Sequence, residues 1–264
     1  MRILSLASGS KGNCYYVESG ESHILVDCGL SLKRLEERMA EAGIDPSKVG
    51  YVLISHEHSD HTKGLVNFFK KYHPKIFCNY ISAERIEKLN PELESRINTF
   101  DNEQLFLGNV TVDAIPVSHD SSFCTAFKLS AGSAAASIVT DLGFIDSGII
   151  DKISGSKVVF LESNHDERML RICHYPSIIK SRIASNMGHL SNTQAGHAMV
   201  ELVRRGTRHF ALSHISENSN TYEKAYVTIA NILGESGINI DTDVVVRFAH
   251  QHKIGNNFKL GEDD

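Results

Sequence analysis

Apolar residues fall in short blocks along the first quarter of the chain. Ile3–Leu6, Cys14–Val17 and His23–Val26 read as strands joined by turns rich in Gly and Ser. Leu32, Leu35, Met39 and Ala42 then share one face of a helix, with Ser31 placed to cap its start and Gly43 to stop it. Tyr51–Ile54 is a buried-type strand that runs directly into Ser55-His56-Glu57-His58-Ser59-Asp60-His61. A helix over Lys63–Lys71, a strand at Ile76–Cys78 and a helix from Ser82 to Asn90-Pro91 follow. A β-rich stretch comes next: Gln104–Leu107, Val110–Val117, Phe123–Leu129 and Ala136–Val139. The second half alternates again. It offers strand Val158–Leu161, helical material over Asp166–Ser185 and a helix over Asn192–Arg205. Strand Phe210–Leu212, helix Tyr222–Leu233 and strand Val244–Phe248 complete the pattern. Two halves, each a meandering sheet with helices, predict a layered α/β sandwich rather than a doubly wound parallel sheet.

No repeat, low-complexity tract or linker divides the 264 residues, so one domain over 1–264 is expected. The 41% hydrophobic residues, spread along the whole length, exclude a disordered chain, and no apolar run approaches the 20 or so residues of a membrane span. The N-terminus enters a Gly/Ser loop before any signal-type apolar segment forms, so a cytoplasmic protein is expected. Gly9-Ser10-Lys11-Gly12-Asn13-Cys14 lacks the third glycine of a dinucleotide fingerprint and leads into a strand, which leaves no organic cofactor indicated. Five dispersed cysteines, never spaced C-x-x-C, argue against a disulfide framework or a thiolate zinc site. The net charge of −5 gives no general attraction to nucleic acid; binding a polyanion needs local basic groups.

Histidine is the anomaly. There are 14, and His56, His58 and His61 sit with Asp60 in one hexapeptide after a buried strand. Imidazole and carboxylate suit zinc, manganese or iron. The four cannot all reach one ion from so short a segment. Two ions are the natural arrangement, with His56 and His58 on one and Asp60 and His61 on the other. A metalloprotease helix is excluded, because H-E-x-x-H would need histidine where Asp60 stands. Further ligands are offered where later apolar strands end: His119, Asp141 and His214. Asp141 could bridge both ions through its two oxygens.

With those residues in place, the chain resembles the metallo-β-lactamase fold superfamily over essentially its whole length. The resemblance implies a four-layer αββα sandwich with a dinuclear site at one edge. It puts His56, His58 and His119 on the first ion, Asp60, His61 and His214 on the second, and Asp141 on both. Asp27, in Leu25-Val26-Asp27-Cys28-Gly29, matches the superfamily's early aspartate, a support for the metal loop rather than a ligand. Two bound dications would make a hydrolytic nucleophile available at neutral pH.

The branch must come from outside the seven ligands. Glu162 ends one strand and His189 precedes a helix. Singly, Glu162 could be a solvated strand end and His189 part of a capping turn. In the nucleic-acid-processing branches a carboxylate and a histidine in comparable segments pair beside the metals. Carried over, Asp60, Glu162 and His189 are the catalytic candidates, with Glu162 orienting His189 to stabilise or protonate a leaving oxygen. The combination of Ala7-Ser8-Gly9-Ser10-x-Gly12-Asn13-Cys14, Glu162–Asp166, Tyr175-Pro176, Gly188–Asn192 and Leu212-Ser213-His214 looks like the YycJ (WalJ) group. That likeness implies a 5′→3′ exonuclease acting on DNA and linked to mismatch repair. Lys180 and Arg182, with the helix start at Ser191 and Asn192, are the expected substrate-binding groups. Lys11, Arg168, Arg171 and the Arg204/Arg205/Arg208 cluster are further cationic candidates, and Tyr175 or Phe123 could stack on a base. Two rivals stand: a glyoxalase II or lactonase type of hydrolase without the Glu162–His189 pair, and a non-catalytic metal-loaded regulatory partner. There is no room for a β-CASP insertion or the flavodoxin module of a flavodiiron reductase.

Overall fold

The structure, a computed structural model, describes residues 1–101 and 104–261. Two seven-stranded mixed sheets stack face to face. In the first, β1 (Arg2–Ala7), β2 (Cys14–Ser19), β3 (Ser22–Val26), β4 (Tyr51–Ile54), β5 (Lys75–Asn79) and β6 (Ile97–Phe100) lie side by side in chain order. The second runs in the opposite sense across its width from β7 (Gln104–Leu107) through β8 (Val110–Val117), β9 (Cys124–Ala131), β10 (Ala134–Val139), β11 (Val158–Glu162) and β12 (His209–Ser213) to β13 (Val245–Phe248). A last short strand, β14 (Phe258–Lys259), returns to pair with β1. Each sheet is antiparallel at one side and parallel at the other: β3 to β6 are parallel, as are β10 to β13.

Strand alternation separates three apolar layers. Along β2, Tyr15 and Val17 face the second sheet while Cys14 and Tyr16 face helices; along β11, Val158 and Phe160 face inward and Val159 and Leu161 outward. Both faces of these strands are therefore covered, as their near-continuous apolar runs demand. The outer face of the first sheet packs against α1 (Leu32–Glu41), α3 (Leu65–Tyr72) and α4 (Tyr80–Leu89). That of the second packs against α5 (Ser147–Ile153), α8 (Asn192–Arg204) and α9 (Tyr222–Glu235). The sandwich is αββα. No described helix is long and apolar enough to cross a membrane.

Several local readings change. Ser31 stands at the start of α1, but its hydroxyl makes no capping bond. The stop is as expected: Gly43 adopts a φ of +68°, donating to Ala40 while Ile44 donates to Met39. The stretch read as one helix over Asp166–Ser185 is two, α6 (Glu167–Ile172) and α7 (Ser177–Ile183), broken where Pro176 disfavours helical geometry in the residue before it. A short helix, α2 (Ser59–Thr62), forms inside the histidine hexapeptide. Strand β6 escapes the sequence pattern because only its end residues Ile97 and Phe100 are buried, and the pattern predicts no helix where α5 stands.

Phe160 holds the inter-sheet layer together, edge-on to Tyr15 at 5.3 Å and to Phe258 at 5.7 Å. Phe160→Ala should cost about 3–5 kcal/mol in urea unfolding; an unchanged midpoint would show that this layer contributes little.

Candidate active site

The parallel strands deliver their polar ends to one edge of the sandwich. Asp27 follows β3, His56 follows β4, Asp141 follows β10, Glu162 ends β11 and His214 follows β12. His119 follows β8, which runs in the same direction as β10 through the intervening antiparallel β9. Carboxyl ends of parallel strands are where open α/β sheets place their ligands.

The residues that the sequence singled out meet there. Ligand atoms of His56, His58 and His119 lie within 4.8 Å of one another, and so do those of Asp60, His61 and His214. Asp141 lies between the two groups, 3.8 Å from His119 Nε2 on one side and 3.2–3.3 Å from His214 Nδ1 and His61 Nε2 on the other.

What fixes the rings of His56, His61, His119, His189 and His214 is the bond at the nitrogen Nδ1. His61 Nδ1 is 2.8 Å from Asp27 Oδ2, whose partner oxygen accepts the Ser55 backbone N–H at 2.8 Å. His119 Nδ1 is 3.1 Å from the Gly188 carbonyl. His56 Nδ1 is 3.0 Å from Ser55 Oγ. His214 and His189 both present Nδ1 to the same oxygen of Glu162, each at 2.8 Å. These contacts set tautomer and ring angle, the usual second layer around a metal. Glu57, which the sequence reading left unused, ties the loops together: it accepts from Ser122 N at 2.8 Å and Ser82 Oγ at 3.1 Å. Asn13 does the same for the glycine loop, reaching Asp60 Oδ2 at 3.3 Å and His61 Nε2 at 3.0 Å. The only sequence signal for either was its place inside an already suspicious motif.

The electrostatics follow. Burial pushes His56 well below the ordinary imidazole range, and the neighbouring His61 adds to that. Burial would do the same to His214, but Asp141, Asp60 and Glu162 hold it well above. Burial would raise Glu162; the charge of His189 and the two histidine hydrogen bonds bring it to about 2 instead. Buried Asp141 is likewise held low by His214 and His61.

A divalent cation fits this donor set. His56 Nε2, His214 Nε2 and Asp141 Oδ2 are buried with no hydrogen-bond partner. Buried polar atoms are otherwise nearly always paired, and here three belong to the clustered His/Asp groups. No cysteine joins the clustered groups among the described residues, whose donors are imidazole and carboxylate.

The cluster floors a cleft of about 480 Å³. Its walls include His189, Arg182, Asp120, Asn164 and Tyr175. Arg182 reaches the cleft but is paired with Asp120 at 2.8 Å. Three expected substrate groups do not reach it. Lys180 lies on the other side of α7, its ammonium 2.9 Å from the Arg171 carbonyl. Ser191 is buried as the N-cap of α8 in a capping box with Gln194. Asn192 is buried against Ser163 and Asn220. Ser191 is used in capping the helix, and Asn192 in tying its start to the end of β11 and to Asn220. Lys11 pairs with Glu217, and Arg204 and Arg205 pair with Glu201 and Asp151.

An αββα sandwich with a His/Asp cluster along the strand-end edge defines a metal-dependent hydrolase. The profile of the beta-lactamase superfamily domain matches residues 22–215, and the chain belongs to that superfamily. Exodeoxyribonuclease YycJ of Bacillus anthracis is 34% identical over 244 residues, spanning 89% of this chain and 90% of that one. Exodeoxyribonuclease WalJ of Streptococcus pneumoniae is 30% identical over 245 residues, 91% of each. Among solved structures, the metallo-β-lactamase fold protein YhfI of Bacillus subtilis superposes with a TM-score of 0.72 at 17% identity, covering 97% of this chain and 98% of the other.

Because Glu162 orients His214, Glu162→Gln should weaken zinc binding about 10–100-fold in competition with a chelating dye. For the unsubstituted protein, zinc at a hundred times its Kd should add about 2.7 kcal/mol of stability in thermal unfolding. Equal zinc affinity in the variant would show that Glu162 does not support the site.

Proposed function

We propose that the protein is a dinuclear-metal-dependent phosphodiesterase acting on DNA, an exonuclease digesting 5′→3′ as a single domain in the cytoplasm. The observation that carries the reading is the Glu162–His189 contact at 2.8 Å beside the cluster, in a residue that lines the cleft. Relatives that cover nine-tenths of the chain and are named exodeoxyribonucleases support DNA as the substrate. The polarity follows the group whose motifs the chain carries, and cysteines that are all unpaired fit a reducing compartment.

His56, His58 and His119 would hold one ion and Asp60, His61 and His214 the other, with Asp141 shared; zinc, manganese and iron all suit these donors. Bound there, the ions would supply an acidified water and polarise a phosphoryl oxygen. The chain's own residues do the rest. Glu162 accepts the Nδ1 proton of His189, which leaves Nε2 as the ring nitrogen available to a substrate. When Nε2 also carries a proton, it stabilises charge developing on phosphorus-bound oxygen or gives that proton to the leaving oxygen, the ring keeping its Nδ1 proton on Glu162. Arg182 offers the cleft a guanidinium fork for phosphate once Asp120 yields it. The exodeoxyribonuclease relatives, rather than this histidine alone, favour a phosphodiester over an ester or lactone as the substrate.

His189→Ala, with its metal content verified, should slow hydrolysis of bis(p-nitrophenyl) phosphate and of end-labelled duplex DNA by about 10²–10⁴-fold. Full activity in that variant overturns the role of His189. Absence of DNA shortening by the metal-loaded parent protein, with label at either end, overturns the nuclease reading.

A further inference from the structure

Helix α7 separates two cavities. Ile179, Arg182 and Ile183 line the catalytic cleft, while Ser177, Lys180 and Ser181 line a second cavity of about 400 Å³. The two sets lie on opposite faces of the helix, as their spacing requires. The second cavity is completed by Glu167 and Arg171 from α6 and by His165. None of these residues belongs to the His/Asp ligand groups.

Its chemistry is that of an anion site. Its lining holds two cations, Arg171 and Lys180, one carboxylate, Glu167, two serine hydroxyls and the apolar Leu170. Lys180 spends one N–H on the Arg171 carbonyl and keeps two. The Arg171 guanidinium has no hydrogen bond or ion pair among the described residues. His165 is buried, and its Nδ1 has no partner. A buried polar nitrogen left unpaired is costly.

We propose that this cavity holds a second backbone phosphate of the DNA strand whose scissile bond lies in the cleft, with α7 as the divider between the two. The proposal rests on the DNA reading above and extends it. A helix with its side chains is about 10–12 Å across. The axial rise of about 3.4 Å per nucleotide is far shorter than that width, so the two held phosphates belong to non-adjacent nucleotides. A chain of net charge −5 thereby gains a local cationic anchor for a polyanion.

The test compares substrates of different length with the metal-loaded protein. Arg171→Gln, and separately Lys180→Gln, should raise KM several-fold with kcat unchanged on a strand of about a dozen nucleotides. Each variant should also flatten the salt dependence of binding to a hydrolysis-resistant phosphorothioate strand, measured by fluorescence anisotropy, by about 0.7 in log–log slope. Hydrolysis of bis(p-nitrophenyl) phosphate, too short to span α7, should not change. An unaltered salt slope in both variants overturns the proposal. An equal loss on the small ester also overturns it, since the substitutions would then be acting through the cleft. A parent protein that hydrolyses neither substrate sinks the nuclease reading instead, while phosphorothioate binding still decides whether this cavity takes a phosphate.

Discussion

One buried carboxylate organises the reactive edge. Glu162 closes β11, and its two oxygens reach four groups on three separate segments. One oxygen receives His189 and His214; the other receives the backbone N–H of Leu142 at 3.0 Å and of Leu190 at 3.4 Å. Leu142 follows Asp141, and Leu190 follows His189, so a single side chain sets the positions of three site residues. A carboxylate buried this deeply is tolerable only when its charge is matched and its lone pairs are used. Asp27 does the equivalent work in the first sheet, where it holds Ser55 and His61.

Backbone strain is concentrated in the same place. Of the six described non-glycine residues with positive φ, three are Asp27, Asp141 and His214, each just past a strand. Such conformations cost on the order of 1–3 kcal/mol apiece and persist where surroundings over-determine them. Here the surroundings are the two carboxylates and the packed strands behind them. Close backbone contact adds to this: a Cβ on Gly29 would sit 1.6 Å from the Asp60 carbonyl, and one on Gly188 2.2 Å from those of Arg182 and Ile183. The first contact seats the histidine hexapeptide against the loop that follows β3. The second brings α7 to the wall of the cleft.

Much of this was legible in the amino-acid order. The buried strands were readable because both of their faces are covered, and strand ends carrying His or Asp mark the rim directly. The cluster was readable because three histidines in six residues have few other uses. What escaped the pattern depended on long-range geometry. Strand β6 has no alternation to read, and the break between α6 and α7 hinges on Pro176 within a stretch that otherwise suits a helix. Ser191 and Asn192 suit phosphate donors at a helix start, yet Ser191 caps the helix and Asn192 bonds Ser163 and Asn220. Lys180 and Arg182 are two residues apart and were read as a pair, but on a helix that spacing sends them to different sides. Asp120 gave no signal at all, although it holds Arg182.

The central claim is that the seven His and Asp side chains converge to hold two cations side by side, with Glu162 and Asp27 fixing their angles. The most direct measurement is anomalous diffraction from crystals soaked in zinc or manganese. Two peaks about 3.5–4 Å apart, one among His56, His58 and His119 and one among Asp60, His61 and His214, would agree with it. A single peak elsewhere, or none at either group at saturating metal, would contradict it.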